Sequence, residues 1–177
     1  MPIEMTSHTI VAKLTDELKA KVESLKTDNI IPHLAVILVG HDPQSQLYVS
    51  SIKQREATNV GIDFMVHRFD QSVDQETLLQ AIDVLNNQPA VSGIIVQLPL
   101  PPHLEVETVL NRVNKDKDVD GLAKESPFEP PTVEAILELF SAYDISLVDK
   151  KIVIVGQGRL VGKPLARAFR ELSINFS

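Results

Sequence analysis

Apolar residues recur along this chain with two alternating periods, which predict amphipathic helices separated by buried strands. Residues 9–27 have apolar side chains at helical spacing, so they predict a first amphipathic helix. A continuous apolar run at 34–39 is typical of a strand that is buried on both faces. The mostly apolar segment 91–98 predicts another buried strand, and 62–69 predicts a further strand. The intervening helices are predicted from a cap at Ser45 through about Asn59, from Asp74 onward, and over 103–113.

The second half of the chain continues this alternation after a loop at 114–131. A helix is predicted at 132–143, a strand at 152–155 and a last helix at 164–172. Strands that alternate with helices predict an α/β fold with a mainly parallel sheet and right-handed crossovers.

Two domains are predicted from this order of elements. Residues 1–147 would form a parallel-sheet domain with a connecting helix, and residues 148–177 would begin a Rossmann-like nucleotide-binding domain. The second is expected to be incomplete, because one strand and one helix cannot close such a domain. Ligands of these sheets bind beyond the carboxyl ends of the strands, where Gly40, Gln97 and Gly156 fall.

Composition narrows the class of protein without identifying it. The 177 residues include 44% hydrophobic and 23% charged side chains, which is typical of a globular protein with a sizeable core. A net charge of −7 argues against non-specific nucleic-acid binding. The absence of cysteine excludes disulfides and thiolate metal sites, and the five histidines lack ligand spacing, so no metal site is predicted. No apolar run approaches the ~20 residues that span a bilayer, and the expected location is cytoplasmic, without a membrane partner.

Four polar side chains lie beside apolar elements and are the candidate chemistry. Tyr48 and Lys53 lie on one predicted helix, Gln97 follows a strand and Asp120 lies in a turn. A flat ring, a cation, an amide and a carboxylate suit a planar heterocycle near which a proton is moved. Each position also has a structural alternative without a functional role. The helix of Tyr48 and Lys53 would carry an ordinary solvated lysine, Gln97 would end its strand in solvent, and Asp120 would lie in an ordinary charged turn. In a regular α-helix, moreover, a five-residue step separates Tyr48 from Lys53 by ~140°.

A glycine-rich segment follows the last predicted strand. Such a pattern is common by itself, but between a strand and a helix it indicates that loop amides and the helix N-terminus face a pyrophosphate. The candidate cofactor-binding residues are Gly156, Gln157, Gly158, Arg159 and Gly162.

Taken in order, these segments resemble the bifunctional methylenetetrahydrofolate dehydrogenase/methenyltetrahydrofolate cyclohydrolase family. The similarity runs from the first helix to about residue 170, and four segments carry most of it: 39–49, 93–101, 117–121 and 161–165. The resemblance implies oxidation of 5,10-methylenetetrahydrofolate with NADP, followed by hydrolysis to 10-formyltetrahydrofolate. Both reactions would occur in a cleft between the domains of a homodimer, in one-carbon metabolism that supplies purine, methionine and histidine biosynthesis.

The same resemblance implies roles for individual residues. Tyr48 would stack on the folate and Lys53 would transfer protons during methenyl hydrolysis. Gln97 would orient that lysine, and Asp120 would bind the amino edge of the pterin. Leu98 and Pro99, which follow Gln97, would complete the substrate site.

The chain departs from the family pattern at several positions. The usual lysine lies four residues after the tyrosine, where this chain has Ile52, and an extra residue before Gly61 suggests a local helix bulge that restores the register. The segment after Gly121 is shorter than usual. Gln157-Gly158 stands where arginine-serine is common, so Arg159 is the expected partner of a 2′-phosphate, and NAD is possible besides NADP.

Two other functions stay open on the sequence alone. One is a non-catalytic folate-binding or dimerising fragment that has lost dehydrogenase activity. The other is a dehydrogenase for a different small substrate, since a strand-loop-helix nucleotide motif serves many chemistries. The second leaves Tyr48, Gln97 and Asp120 without a common purpose.

Overall fold

The computed structural model describes residues 4–177 and divides into two compact units. One unit is Thr15–Pro127, and the other joins the N-terminal residues through Leu14 to Phe128–Ser177. The compact units therefore divide after Pro127, whereas the functional boundary expected at residue 147 stays a prediction. The elements, in chain order, are α1 (His8–Thr27), β1 (His33–Val39), α2 (Pro43–Leu47), a π-helical segment (Tyr48–Lys53), α3 (Gln54–Val60), β2 (Asp63–Phe69), α4 (Gln75–Asn86), β3 (Gly93–Val96), α5 (Val106–Arg112), a 3-10 turn (Lys115–Lys117), α6 (Pro131–Ala142) and α7 (Gly162–Glu171).

The unit Thr15–Pro127 is built around a three-stranded parallel sheet in the order β2-β1-β3, which confirms the predicted α/β class. The central strand β1 is buried on both faces: Ala35, Ile37 and Val39 pack in a core that also contains α4 and α5 residues. Val36 and Leu38 pack on the opposite face against Val49 of the π-helical segment. An apolar run with no polar alternation is what such a doubly covered strand requires.

The helical stretch after β1 begins one turn earlier than its expected cap. The carboxylate of Asp42 accepts a hydrogen bond from the Ser45 N–H at 2.7 Å, and Pro43 occupies the first helical position. Asp42 is therefore the cap, and the prediction of Ser45 was wrong, because Ser45 is buried inside the first turn. Proline at the first position is the signal that selects Asp42. Gly61, with φ +84°, ends the stretch as expected.

The strand predicted at 152–155 was wrong, although the apolar run is present. Ile152 forms a single parallel bridge with Phe176, supported by hydrogen bonds from Ile154 N–H to Ser177 O (2.9 Å) and from Ser177 N–H to Ile152 O (3.1 Å). Val155 is 94% exposed. A strand needs a ladder partner along its length, and within residues 4–177 the backbone pairing of this run involves Phe176 and Ser177.

Two kinds of feature are absent from residues 4–177. None of their helices is long and apolar enough to cross a bilayer. No group of three or more histidine, aspartate or glutamate side chains among them is arranged to hold a metal ion.

Candidate active site

The π-helical segment Tyr48–Lys53 determines how the predicted site is assembled. At its end the Gln54 N–H donates to the Val49 carbonyl, five residues back, instead of four as in an α-helix. The backbone remains helical on both sides, with α-region dihedrals at Leu47 and Gln54. One extra residue is thus absorbed within a continuous helix, as the predicted bulge required.

The wider turn places Lys53 over Tyr48 although the two are five residues apart. The Lys53 Nζ lies 5.4 Å from the centroid of the Tyr48 ring, within cation–π distance. Ile52, which occupies the position of the usual lysine in the family, is 44% exposed. Val49 is fully buried against the sheet and anchors the segment. The structure therefore brings Tyr48 and Lys53 together.

Asp120 is the second partner of the lysine. Its Oδ2 is 3.7 Å from the Lys53 Nζ, and both side chains are largely buried, with 19% of Lys53 and 22% of Asp120 exposed. Burial raises the pKa of Asp120 above its ordinary value, Lys53 opposes that rise, and the neighbouring Asp118 carboxylate adds to it. The lysine is consequently held between an aromatic ring and a carboxylate, away from bulk water.

Gln97 follows β3 at the same edge of the sheet. Its backbone N–H continues the ladder to Ile37 O at 2.9 Å, and its side-chain Nε2 donates to Leu98 O at 2.7 Å. The Gln97 Oε1 is buried and has no hydrogen-bond partner among the residues that the structure describes. A buried acceptor of this kind is costly to leave unpaired, so it marks a position where a donor would bind. Leu98 is half-buried and Pro99, joined to it by a cis peptide, is exposed.

Two supporting residues lie in the segment that carries Asp120, and neither of them was predicted from the sequence to have a distinct role. Asp118 is 4% exposed, and its Oδ2 accepts a hydrogen bond from the Ala123 N–H at 2.8 Å. Lys117 donates from its ammonium group to three carbonyls at the end of α4. The alternating charges of 115–120 look like an ordinary solvated turn, and no local signal in the sequence distinguishes these contacts.

The glycine-rich loop belongs to the other unit. Gly156 has φ +88°, and side-chain atoms added at Gly156 or Gly158 would meet open space. At Gly162 an added Cβ would lie 2.1 Å from the Gly156 carbonyl oxygen, so only glycine fits where α7 begins. A cavity of about 640 Å³ adjoins this loop and is lined mainly by apolar side chains, among them Phe140 and Phe169. These features leave room for a ligand to approach the backbone of the loop.

The fold and the first site together define an α/β protein with a buried lysine–carboxylate pair at the carboxyl edge of a parallel sheet. The family profile "Tetrahydrofolate dehydrogenase/cyclohydrolase, catalytic domain" matches residues 5–120, which include Tyr48, Lys53, Gln97 and Asp120. The chain belongs to the tetrahydrofolate dehydrogenase/cyclohydrolase family, so the predicted resemblance is confirmed.

Individual relatives and solved structures agree with this assignment. The Bifunctional protein FolD of Lactococcus lactis is 42% identical over an alignment of 167 residues that covers 89% of this chain and 58% of that protein. The bifunctional FolD enzyme of Campylobacter jejuni superimposes with a TM-score of 0.91 at 37% identity, covering 96% of this chain and 63% of that one. The Trypanosoma brucei enzyme, described as complexed with NADP cofactor and inhibitor, gives a TM-score of 0.92 at 26% identity and covers 100% and 64%. The chain thus spans about three fifths of the length of these proteins.

Proposed function

We propose that the unit Thr15–Pro127 binds a tetrahydrofolate and hydrolyses its 5,10-methenyl form to 10-formyltetrahydrofolate. The observation that carries this proposal is the position of the Lys53 ammonium between the Tyr48 ring and the Asp120 carboxylate, which holds in spite of the shifted spacing. The names of the relatives describe bifunctional enzymes, which does not favour a non-catalytic fragment.

In the proposed reaction Lys53 acts as the general base that accepts a proton from the attacking water. Water adds to the methenyl carbon and loses one proton to the neutral amine form of Lys53, which becomes an ammonium and then passes that proton to solvent. Cleavage of the carbon–nitrogen bond then places the remaining hydroxyl proton on the released ring nitrogen, which gives the 10-formyl product. A positioned proton acceptor of this kind contributes about 10²- to 10⁴-fold to the rate.

The neighbouring side chains would orient the substrate and the lysine. The exposed face of Tyr48 offers a flat surface for the folate, and the unpaired Oε1 of Gln97 can accept a hydrogen bond from Lys53 or from the substrate. Asp120 would accept donors from the amino edge of the pterin, a charge-assisted contact. Leu98 and Pro99 would form an apolar part of the same site.

The glycine-rich loop supports the second half of the proposal, oxidation of methylenetetrahydrofolate by hydride transfer to NADP. Gly156 and Gly158 leave space for a pyrophosphate, Gly162 lets α7 begin against the loop, and helix N-termini favour anions. Gln157 and Arg159 would contact the cofactor, Arg159 at a 2′-phosphate. NADP would serve as the hydride acceptor, with NAD as the alternative that a parallel titration measures.

The hydrolysis is tested by following the loss of the near-ultraviolet absorbance of methenyltetrahydrofolate with the 177-residue chain. Lys53→Ala is expected to lower turnover by about 100-fold or more, because the proton acceptor is removed. Arg55→Ala is the matched control: it removes one positive charge from the same helical stretch at an exposed position, and should leave turnover within about twofold. Normal turnover by Lys53→Ala would contradict the assignment, and folate binding without turnover by the parent chain would favour the non-catalytic alternative.

The π-helical register is tested in the same assay by two further variants. Exchanging the residues, Ile52→Lys with Lys53→Ile, keeps the composition but moves the ammonium to an exposed position, so turnover should fall about as far as in Lys53→Ala. Deletion of the exposed Ser51 leaves a four-residue step that an ordinary α-helix accommodates, so activity should stay within about tenfold of the parent. The opposite ranking would show that Lys53 is not the catalytic position.

Assembly and location are part of the proposal by family resemblance alone. A homodimer in the cytoplasm, which supplies one-carbon units to purine, methionine and histidine biosynthesis, is the expected setting. Sedimentation of the purified chain measures the oligomeric state.

A further inference from the structure

The contacts of Lys117 single it out from the other lysines near the site. Its Nζ donates to the carbonyl oxygens of Leu85 (3.2 Å), Asn86 (2.9 Å) and Gln88 (2.7 Å). These carbonyls lie at the C-terminus of α4, whose own last turn contains no basic residue. An ammonium has three donors, one for each of these carbonyls, and its positive charge suits the partial negative charge at a helix C-terminus.

The segment held by Lys117 is the one that carries Asp120. Directly after the lysine, Asp118 pairs with Ile94 of β3 and accepts a hydrogen bond from the Ala123 N–H. Val119 packs so closely on the strand that a Cβ at Gly93 would lie 2.7 Å from it. Asp120 then reaches Lys53, and Gly121, with φ +62°, turns the chain away. Only two residues, Asp118 and Val119, separate the lysine that is bound to the end of α4 from the carboxylate in the site.

We propose that Lys117 is a positioning residue for Asp120. By fixing the start of the segment 118–121 to the end of α4, it holds the Asp120 carboxylate within reach of Lys53 and of the substrate. Lys117 itself touches neither the substrate nor the reacting atoms. This inference rests on the proposed function for its kinetic consequence, but its structural part can be measured without turnover.

The test compares Lys117→Met, which removes the donors but keeps the chain length, with Lys117→Arg, which retains a cation and several donors. Lys115→Met is the matched control, because it removes the same charge from the same 3-10 turn at an exposed position. Amide hydrogen exchange at Val119, Gly121 and Ala123 reports the order of the segment, since each of these N–H groups donates a hydrogen bond within it.

Lys117→Met is expected to speed exchange at these amides by about tenfold or more, and Lys117→Arg to restore most of the protection. In the hydrolysis assay the Met variant should raise KM about tenfold while kcat changes less, because a displaced Asp120 weakens substrate binding. Lys115→Met should match the parent in both measurements. If Lys117→Met fails to fold, Lys117→Gln, which keeps an uncharged amide donor, takes its place.

Unchanged exchange and unchanged KM in the Met variant would overturn the proposal, and so would a lower melting temperature with parental exchange and KM. A parent chain without turnover would contradict the proposed function instead. In that case the exchange measurement still decides whether Lys117 orders the segment.

Discussion

Two segments of this chain have the same sequence plan and reach different structures. In each, an apolar run ends at a glycine with positive φ, Gly40 at +80° and Gly156 at +88°, and a helix follows. The first run becomes β1, which pairs along its whole length with β2 and is buried on both faces. The second run forms one bridge with Phe176 and leaves Val155 exposed to solvent.

The difference lies in the neighbours of each run and not in its own residues. The strands β2 and β3 pair with β1 on either side, and helices cover both faces of the sheet. This support extends to the polar site, where Lys53 and Asp120 lie at the end of the same sheet. The glycine-rich loop follows the poorly paired run instead, and there is open space beside the backbone of Gly156 and Gly158. The comparison shows that the apolar pattern specifies which residues can be buried, whereas partners decide whether they are.

The largest expected effect comes from making the same substitution in both runs. Val36→Ala removes two methyl groups from a fully buried position in β1 and should lower the free energy of unfolding by about 2–3 kcal/mol. Val155→Ala removes the same atoms from a position that is 94% exposed and should change it by less than about 0.5 kcal/mol. Urea unfolding followed by far-ultraviolet circular dichroism measures both. Equal losses would mean that the second run is buried in solution, and the contrast would fail.

An intermediate effect is expected from alanine at two glycines of the loop. Gly162→Ala places a Cβ against the backbone oxygen of Gly156, which cannot move aside like a flexible side chain, so it should destabilise the unit that contains α7 by about 1–3 kcal/mol. Gly158→Ala meets open space and should leave stability unchanged while weakening NADP binding, because its methyl group occupies the space proposed for the pyrophosphate. Thermal unfolding and titration with NADP and NAD separate the two. Weaker binding without any loss of stability in Gly162→Ala would show that the loop relaxes around the new side chain.

Much of the first region could be predicted from sequence because its signals are local. The predicted ends of β1 and β3 lie within two residues of the observed ends. The extra residue before Gly61 predicted the bulge that the π-helical segment provides. The N-cap of α2 was predicted at Ser45 but is Asp42, and both residue types are good caps. Pro43, at the first helical position, is the signal in the sequence that distinguishes them. The strand at 152–155 failed for a different reason, since pairing depends on residues far away in the chain.

In the candidate site, too, some features could be predicted from the sequence and others could not. Tyr48, Lys53 and Asp120 were expected together from resemblance, and the structure places them together. The contacts of Lys117 with carbonyls about 30 positions earlier could not be predicted, because nothing in 115–120 indicates which helix end lies beside it. Side chains that hold a site in place depend on tertiary packing, whereas those that perform chemistry are recognisable by type and order.

The smallest expected effect is the pH dependence of stability that comes from the largely buried carboxylate of Asp120. Burial raises the pKa of Asp120 in the folded chain above the value of about 3.9 for an unfolded chain, so the folded state binds more protons between the two values. The stability that Asp120 contributes should therefore fall as pH rises from that ordinary value through its raised pKa. Asp42 and Asp74, whose pKa values hydrogen bonds lower, act in the opposite direction, but their contributions cancel when the parent chain is compared with Asp120→Asn. Urea unfolding of both proteins across acidic pH measures the free energy of unfolding of the parent minus that of Asp120→Asn. This difference should fall as pH rises. A difference that rises instead would mean that the attraction of Lys53 outweighs the cost of burying the Asp120 carboxylate.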